Sequence, residues 1–513
     1  MPQIFSPKIP PKNLPKNALK NDKQARLKAL DLAHIWHPCT QMKDHFSVSQ
    51  NDENIPLIPI KKAKGVYLYD FNGQKYIDCV SSWWVNLFGH QNKTINKAIK
   101  KQLKTLEHII LAGFSHEQII RFSHRLTSLL SAPLNKCFYA DNGSSAIEVA
   151  LKMSYQYHKN IAQNLAQNLA KNHALDSKNH KPKSTKTTTK RTKFLTLSNA
   201  YHGETLGALS VGDVGLYKDI YKPLLLECIT TPVPKFTDSI SDFATIKNAK
   251  SKFAKSKITK STNPIHSSNY QQELRALEKI LQKEGKNICA FILEPLIQCA
   301  GGINIYPKGF IKSACKLARK YGILIIFDEI AVGFGRSGSM FAYEQCGVVP
   351  DFLCLSKGIS GGYLPLSVVV TSDKIYEAFY GDSDSNVGFL HSHSYTGNAL
   401  ACAAANAVLD IFATQKIIEK NQTLSDFIAS LWGNLSSLKN VANLRHCGMI
   451  FALDIVGSRH KRAGLEVFKK GLKRGLLLRP LANTIYFMPP FIITKKQVKF
   501  VVENLREILQ NLG

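Results

Sequence analysis

The sequence predicts an α/β architecture: a large domain with a mostly parallel sheet flanked by helices, plus a smaller α+β domain. Three observations carry this. Short, almost continuously apolar segments recur, among them ICAFILEP, GILIIFDEI, DFLCLSK and LSVVVTS, each the length of a single buried strand. Amphipathic helical stretches such as FIKSACKLARKYG separate several of them, and apolar strands alternating with helices belong to a parallel sheet covered on both faces. Finally, 513 residues are too many for one simple core and suit a large and a small domain.

Residues 1–28 are Pro- and Lys-rich and read as a flexible tail without the apolar region of a signal peptide. Residues 29–85 form the N-terminal part of the small domain, 86–405 the large domain and 406–513 the C-terminal part of the small domain. Within the first of these, GVYLYDFNGQKYIDCV places Asn72-Gly73 between two alternating apolar runs, a β-hairpin signal. NKTINKAIKKQLKTL is helical, and NKCFYADNGSSAIEVALK is a strand, a Gly-Ser turn and a helix. Two stretches rich in Lys, Ser, Thr and Asn, about 161–193 and 245–271, interrupt the pattern. They read as surface insertions, partly disordered, with a turn or two of helix in AQNLAQNL. FIKSACKLARKYG is a helix ending at Gly322, and the last hundred residues carry the strands of the smaller domain.

The net charge of +30 raises a nucleic-acid reading. Much of the excess lies in the tail and the two insertions, and no zinc-finger spacing or RNA-binding signature accompanies it, so a solvated basic surface is favoured. No apolar run is long enough to span a bilayer. The eleven cysteines include no CxxC pair, which suits a reducing compartment better than a disulfide framework. The expectation is a cytoplasmic enzyme acting on small molecules, with no metal, nucleic-acid or membrane partner.

Four features point to chemistry. Gly143, Ser144 and Ser145 lie where a strand turns into a helix, so free N–H groups and the helix dipole make an anion site there; a plain N-cap at Asn142 is the alternative. Asp328 ends a buried strand, where open α/β sheets bind ligands. The segment resembles a Walker B strand, but no GxxxxGK[ST] precedes it. Lys357 ends another buried strand among small neighbours, a setting that lowers an amine pKa and suits Schiff-base chemistry; a snorkelling surface lysine is the alternative. Tyr201 and His202 occupy a Gly-flanked turn, where an aromatic ring can stack on a flat ligand.

Together these segments resemble the class III aminotransferases of the fold-type I pyridoxal-phosphate enzymes, over nearly the whole chain from about residue 30. HIWHPCTQM, SSWWVNLFGH, ADNGSSAIEVALKM, AYHGETLGALS, FILEPLIQCAGG, IFDEIAVGFGRSG, LSKGISGGYLPLS, HSYTGNALACAAAN and RPLANTIYFMPP carry the resemblance. The Trp83-Trp84 pair and the C-terminal RP…IY…MPP segment are most similar to the branch that converts 8-amino-7-oxononanoate to 7,8-diaminononanoate in biotin biosynthesis.

The resemblance implies a homodimer with shared sites and pyridoxal 5'-phosphate as cofactor. By similarity, Lys357 binds the cofactor covalently and shuttles the proton, Asp328 pairs with the ring nitrogen, and Tyr201 stacks on the ring. Gly143 and Ser144 hold the phosphate, helped by His393 and Ser394 reaching in from the partner subunit. Trp83, Trp84, Ser392 and Arg479 contact the keto acid, with Arg479 on its carboxylate, and Arg336 and Tyr486 line the site. Three positions depart from the family pattern. Cys39 stands where an aromatic residue is usual, which leaves the amino donor open between S-adenosyl-L-methionine and lysine. Ser394 replaces Thr, and Glu204 replaces Asp. The alternatives are another class III ω-aminotransferase or an aminomutase, against which the Trp pair and the C-terminal segment argue. More remote are a non-catalytic regulator, which would need an added DNA-binding domain, and a nucleic-acid binder.

Overall fold

The computed structural model describes residues 22–46, 54–176, 189–235 and 270–512. Most of the expected tail, the middle of the first insertion and nearly all of the second lie outside the described residues.

Seven strands form the central sheet: β1 (Leu134–Ala140), β2 (Lys193–Leu197), β3 (Cys228–Thr231), β4 (Ile288–Leu293), β5 (Leu324–Asp328), β6 (Phe352–Leu355) and β7 (Ser367–Ser372). Their spatial order is β1-β7-β6-β5-β4-β2-β3. β4, β5, β6 and β7 are buried at every residue, as their unbroken apolar composition requires. The pairs along β6-β5-β4-β2-β3 are parallel, while β7 runs antiparallel to both its neighbours. The reason lies in the connection: between β6 and β7 the chain makes only a 3-10 turn at Lys357–Ser360. That leaves no room for the helical crossover a parallel return needs.

After β1 the chain enters helix α1 (Gly143–Asp176). This helix continues through residues 161–176, so the first expected insertion begins as helix. Ala, Leu and Gln in AQNLAQNL are good helix formers, and nothing there stops propagation. Helix α2 (Lys308–Lys320) ends before Gly322, whose φ of +69° reverses the chain. Helix α3 (Ala399–Gln415) is almost wholly buried and packs on the helices Lys93–Gln102 and Glu117–Leu129. A boundary at residue 405 falls inside α3; the chain turns at Lys416 instead, at φ +47°.

The expected hairpin forms. Tyr67–Asp70 pairs antiparallel with Lys75–Asp78, and Gly73 has φ +85°. The two-residue strand Leu476–Leu477 joins this sheet in parallel beside Lys75–Asp78, so both ends of the chain build one sheet. Val441–Cys447, Ile450–Ile455 and Thr484–Phe487 form a separate antiparallel sheet; nearby, the helix Lys495–Gln510 packs on the helices Ile417–Trp432 and Ala463–Lys473, and its Thr494 and Gln497 make a capping box.

The last residues expected as tail are helical. Lys23–His34 is helical, with Asp22 accepting from the Ala25 N–H at 3.0 Å. The Gln24 side-chain oxygen accepts from Phe71 and Asn72 N–H groups, docking the helix on the hairpin turn. The eleven cysteines are free thiols. No single helix among the described residues is long and apolar enough to cross a membrane.

Candidate active site

Parallel strands deliver their carboxyl ends to one edge of the sheet, and there the chemistry-bearing residues meet. Trp84, Asn142, Gly143, Ser144, Tyr201 and Lys357, together with Asp328, line a cleft of about 180 Å³. His202 and Glu294 line it too.

Asp328 is the last residue of β5, and its side chain is almost fully buried. One carboxylate oxygen accepts from the Ile330 N–H at 3.0 Å, and the other lies 2.8 Å from His202 Nδ1. A buried carboxylate needs such partners. His202 is itself buried, and its Nε2 has no hydrogen-bond partner among the described residues. Sequence reasoning noticed His202 but gave it no role; its neighbour Tyr201 was the apparent signal.

Lys357 follows β6 after Ser356 and takes φ +43°. The turn is tight: a Cβ on Gly358 would stand 3.1 Å from Leu87 and 3.3 Å from Phe334. The ammonium nitrogen lies 5.1 Å from the centre of the Trp84 ring. Burial lowers the Lys357 pKa, against the pull of the Asp328 carboxylate, Cys299 and Glu294. The amine is thereby brought towards its neutral, nucleophilic form.

The anion site is assembled by two close approaches. Asn142 Oδ1 caps α1 by accepting from the Ser145 N–H at 3.1 Å, while the first N–H groups of a helix have no intrahelical partner. The turn carrying Tyr201 crosses this point at Gly203, φ +125°, where a Cβ would fall 2.1 Å from Ser144 Oγ. Ser144 Oγ accepts from the Glu204 N–H at 3.3 Å, which leaves its own hydroxyl hydrogen to donate.

Glu294 is the functional residue the sequence reading passed over, because a carboxylate before proline at a strand end looks like a boundary. Its side chain accepts from the Tyr201 N–H at 3.2 Å and the Cys299 N–H at 3.0 Å. Burial, reinforced by Asp328, pushes its carboxyl up to about 8. The Tyr201 hydroxyl donates to Glu204 at 3.0 Å, and its ring meets Tyr217 edge-on at 5.3 Å. Burial and Glu204 hold that phenol protonated.

The rim is looser. Cys39 is exposed, with its sulfur 3.9 Å from Glu204. Burial of part of the side chain and the Glu204 charge raise its pKa, while Arg479 opposes the rise. The Arg479 guanidinium lies 5.7 Å from the Phe468 ring centre, and its charge also reaches Tyr217 and Tyr486. Tyr486 is buried and meets Trp84 edge-on at 6.0 Å. Trp84 is 4% exposed and Trp83 49%, so the pair divides between wall and solvent.

Arg336 does not line the cleft. Its guanidinium donates to Pro489 and Asn86 carbonyls at 2.6 and 3.0 Å and stacks 4.7 Å from the Phe491 ring centre. Buried in this way, its pKa falls to about 9; it pins loops behind the Trp pair. Ser392, His393 and Ser394 do not line the cleft of their own chain either. His393 lies 3.4 Å from Asp141 and 3.1 Å from His391.

The family model for class III aminotransferases matches residues 47–509. The chain belongs to the class III aminotransferases. Among its relatives is the adenosylmethionine-8-amino-7-oxononanoate aminotransferase of Helicobacter pylori, 52% identical over 95% of this chain and 99% of the relative. The enzyme of the same name from Staphylococcus aureus is 37% identical over 95% and 98%. The crystal structure of the Methanocaldococcus jannaschii enzyme of that name superposes with a TM-score of 0.78 at 31% identity, covering 95% of this chain and 99% of that one. A Thermomicrobium roseum ω-transaminase gives 0.77 at 25% identity, covering 95% and 98%. Like these structures, this class III aminotransferase has the fold-type I architecture.

The residues present fit pyridoxal 5'-phosphate, the cofactor of such a fold. A helix N-terminus approached through Gly203 suits its phosphate, a buried carboxylate suits its ring nitrogen, and a dry amine suits its aldehyde.

Proposed function

We propose that this class III aminotransferase moves an amino group from S-adenosyl-L-methionine to 8-amino-7-oxononanoate, giving 7,8-diaminononanoate. The observation that carries the reading is the convergence of Lys357, Asp328 and the Gly143–Ser144 turn on one cleft walled by Trp84. The substrate pair is supported by the names and extent of the relatives.

Bound pyridoxal 5'-phosphate supplies an aldehyde for amine exchange and a ring that takes up the electrons of a broken Cα–H bond. The protein supplies the rest. Gly143 N–H, Ser144 N–H and the Ser144 hydroxyl bind the phosphate. Asp328, held by His202 and Ile330, places a negative charge against the ring nitrogen and keeps its proton there. Tyr201 covers one ring face, its backbone tied down by Glu294. Lys357 Nζ, its pKa lowered by burial, takes the proton from the donor carbon and returns it to the cofactor side. Arg479 binds the keto-acid carboxylate as a two-pronged donor. Trp84 walls the aliphatic chain and excludes water, with Trp83 at the solvent edge.

The proposal includes a homodimer in which His393 and Ser394 of each copy reach the phosphate of the other. It places the enzyme in the cytoplasm. Cys39 beside Glu204 makes the donor end of the site roomy, so lysine is the competing donor. The test follows the visible absorbance of the cofactor in the purified holoenzyme. S-adenosyl-L-methionine should bleach it and 8-amino-7-oxononanoate restore it. Bleaching by lysine alone would replace the donor, and failure of the keto acid to restore the colour would replace the acceptor.

A further inference from the structure

Four consecutive residues without a glycine among them, Ser81, Ser82, Trp83 and Trp84, have φ of +49°, +46°, +68° and +74°. Left-handed backbone is unfavourable for an L-residue, and bulky side chains take it only when their surroundings enforce it. The strain has a visible product. Trp84 turns inward onto Tyr486 and sits 5.1 Å from the Lys357 nitrogen, while Trp83 faces solvent.

We propose that Asp78 and His90 are positioning residues that hold Ser81–Trp84 in this left-handed turn and so set the Trp84 indole against the Lys357 amine. Asp78 is fully buried at the end of its strand. One carboxylate oxygen accepts from the Ser82 N–H at 2.9 Å and the Val80 N–H at 3.4 Å. The other accepts from the Ser82 hydroxyl at 2.8 Å and lies 3.2 Å from His90 Nε2. Asn86 donates its amide to His90 Nδ1 at 3.1 Å. That assigns the proton to Nε2, aimed at Asp78. His90 is itself fixed by reciprocal backbone bonds with Gly65 at 2.7 and 3.0 Å. From the other side, Ser81 Oγ donates to the Met488 carbonyl at 2.8 Å. The turn is therefore clamped at its first two residues, and the indoles follow from the backbone. A charged, buried acceptor binds such donors about twice as strongly as a neutral one, which is why a carboxylate is needed here. Neither Asp78 nor His90 touches the cleft, so their effect passes through Trp84.

This deepens the proposed function and rests on it for the choice of substrate, but its first readout is independent of activity. The full-length holoenzyme carries four tryptophans and can be labelled with 5-fluorotryptophan, with Trp84→Phe assigning the Trp84 fluorine resonance. Asp78→Asn should move that resonance, leave Trp432 in place and retain one cofactor per chain. It should lower kcat/KM for 8-amino-7-oxononanoate about ten- to hundredfold, as misplaced site groups do. Glycine adopts positive φ without steric cost, so adding Ser82→Gly should return the Trp84 resonance and part of the activity, measured against Ser82→Gly alone. A Trp84 resonance unmoved by Asp78→Asn, or moved and not returned by the glycine, overturns the proposal. If Asp78→Asn does not fold, Ser82→Ala removes only the hydroxyl bond; an unmoved resonance there overturns it equally. A wild-type enzyme inactive on the keto acid would instead refute the substrate reading and leave the fluorine test standing.

Discussion

The floor of the cleft and its rim are built by opposite means. The floor stands on regular elements: Asp328 is the end of β5, Lys357 follows β6, Glu294 follows β4, and Gly143 opens α1. The rim stands on irregular chain: Cys39 has positive φ, as does the whole Trp83-Trp84 turn. Regular elements hold atoms to the tolerance that proton transfer needs. Loops and strained turns vary without disturbing the sheet, so they are where substrate choice can change. The difference teaches that chemistry and specificity are separable in this molecule.

Variants can break or sharpen that separation. Lys357→Ala removes the group that serves both half-reactions, and turnover should fall by roughly a thousandfold or more, measured in single-turnover mixing with each substrate. A loss confined to one half would destroy the comparison. Asp328→Asn should slow both halves about a hundredfold, by analogy with loss of one electrostatic stabiliser, with the protein still folded. Arg479→Ala should act on one half only. Loss of a charged hydrogen-bond pair, about 1.5–3 kcal/mol, should raise KM for 8-amino-7-oxononanoate ~10–100-fold and spare the donor half. An equal loss in both halves would move Arg479 from rim to floor.

The smallest effect concerns stability. Burial raises the Glu294 carboxyl to about 8, above its unfolded value. Below the ordinary carboxylate range both states are protonated. As pH rises from there to about 8, the unfolded chain has released a proton that the native state still holds, so native stability falls, by at most about 1.4 kcal/mol per pH unit. Glu294→Gln removes this term, and its melting temperature relative to wild type should climb across that window. A difference that stays flat with pH would mean that Glu294 is ionised in the native floor. Glu329, also raised to about 8 by burial, remains in both proteins and cancels in the comparison.

The same division explains what could be read from the sequence. β4, β5 and β6 announce themselves because burial on both faces demands unbroken apolar residues, and the small residues beside Lys357 mark a buried amine. The antiparallel β7 was hidden, since an apolar strand looks alike in either direction and only its connection decides. The left-handed turn was hidden because SSWW contains no glycine, the usual signal of positive φ; the tertiary clamp from Asp78 and Met488 replaces local propensity. Arg336 misled for a related reason. Its Gly-rich surroundings, GFGRSG, look like an open loop, yet its guanidinium is taken up by the Asn86 and Pro489 carbonyls.

The joining of Leu476–Leu477 to the N-terminal hairpin has a consequence for synthesis. The first strands leave the ribosome with an unpaired edge, and the partner that covers it arrives some four hundred residues later. The Met488 carbonyl that receives Ser81 comes later still. Such high contact order defers closure of the Trp83-Trp84 rim until residue 488 has been made. A nascent chain that has not reached Met488 lacks the carbonyl that receives Ser81. Completion of the substrate pocket thus waits on a segment made long after the strands that carry Lys357 and Asp328.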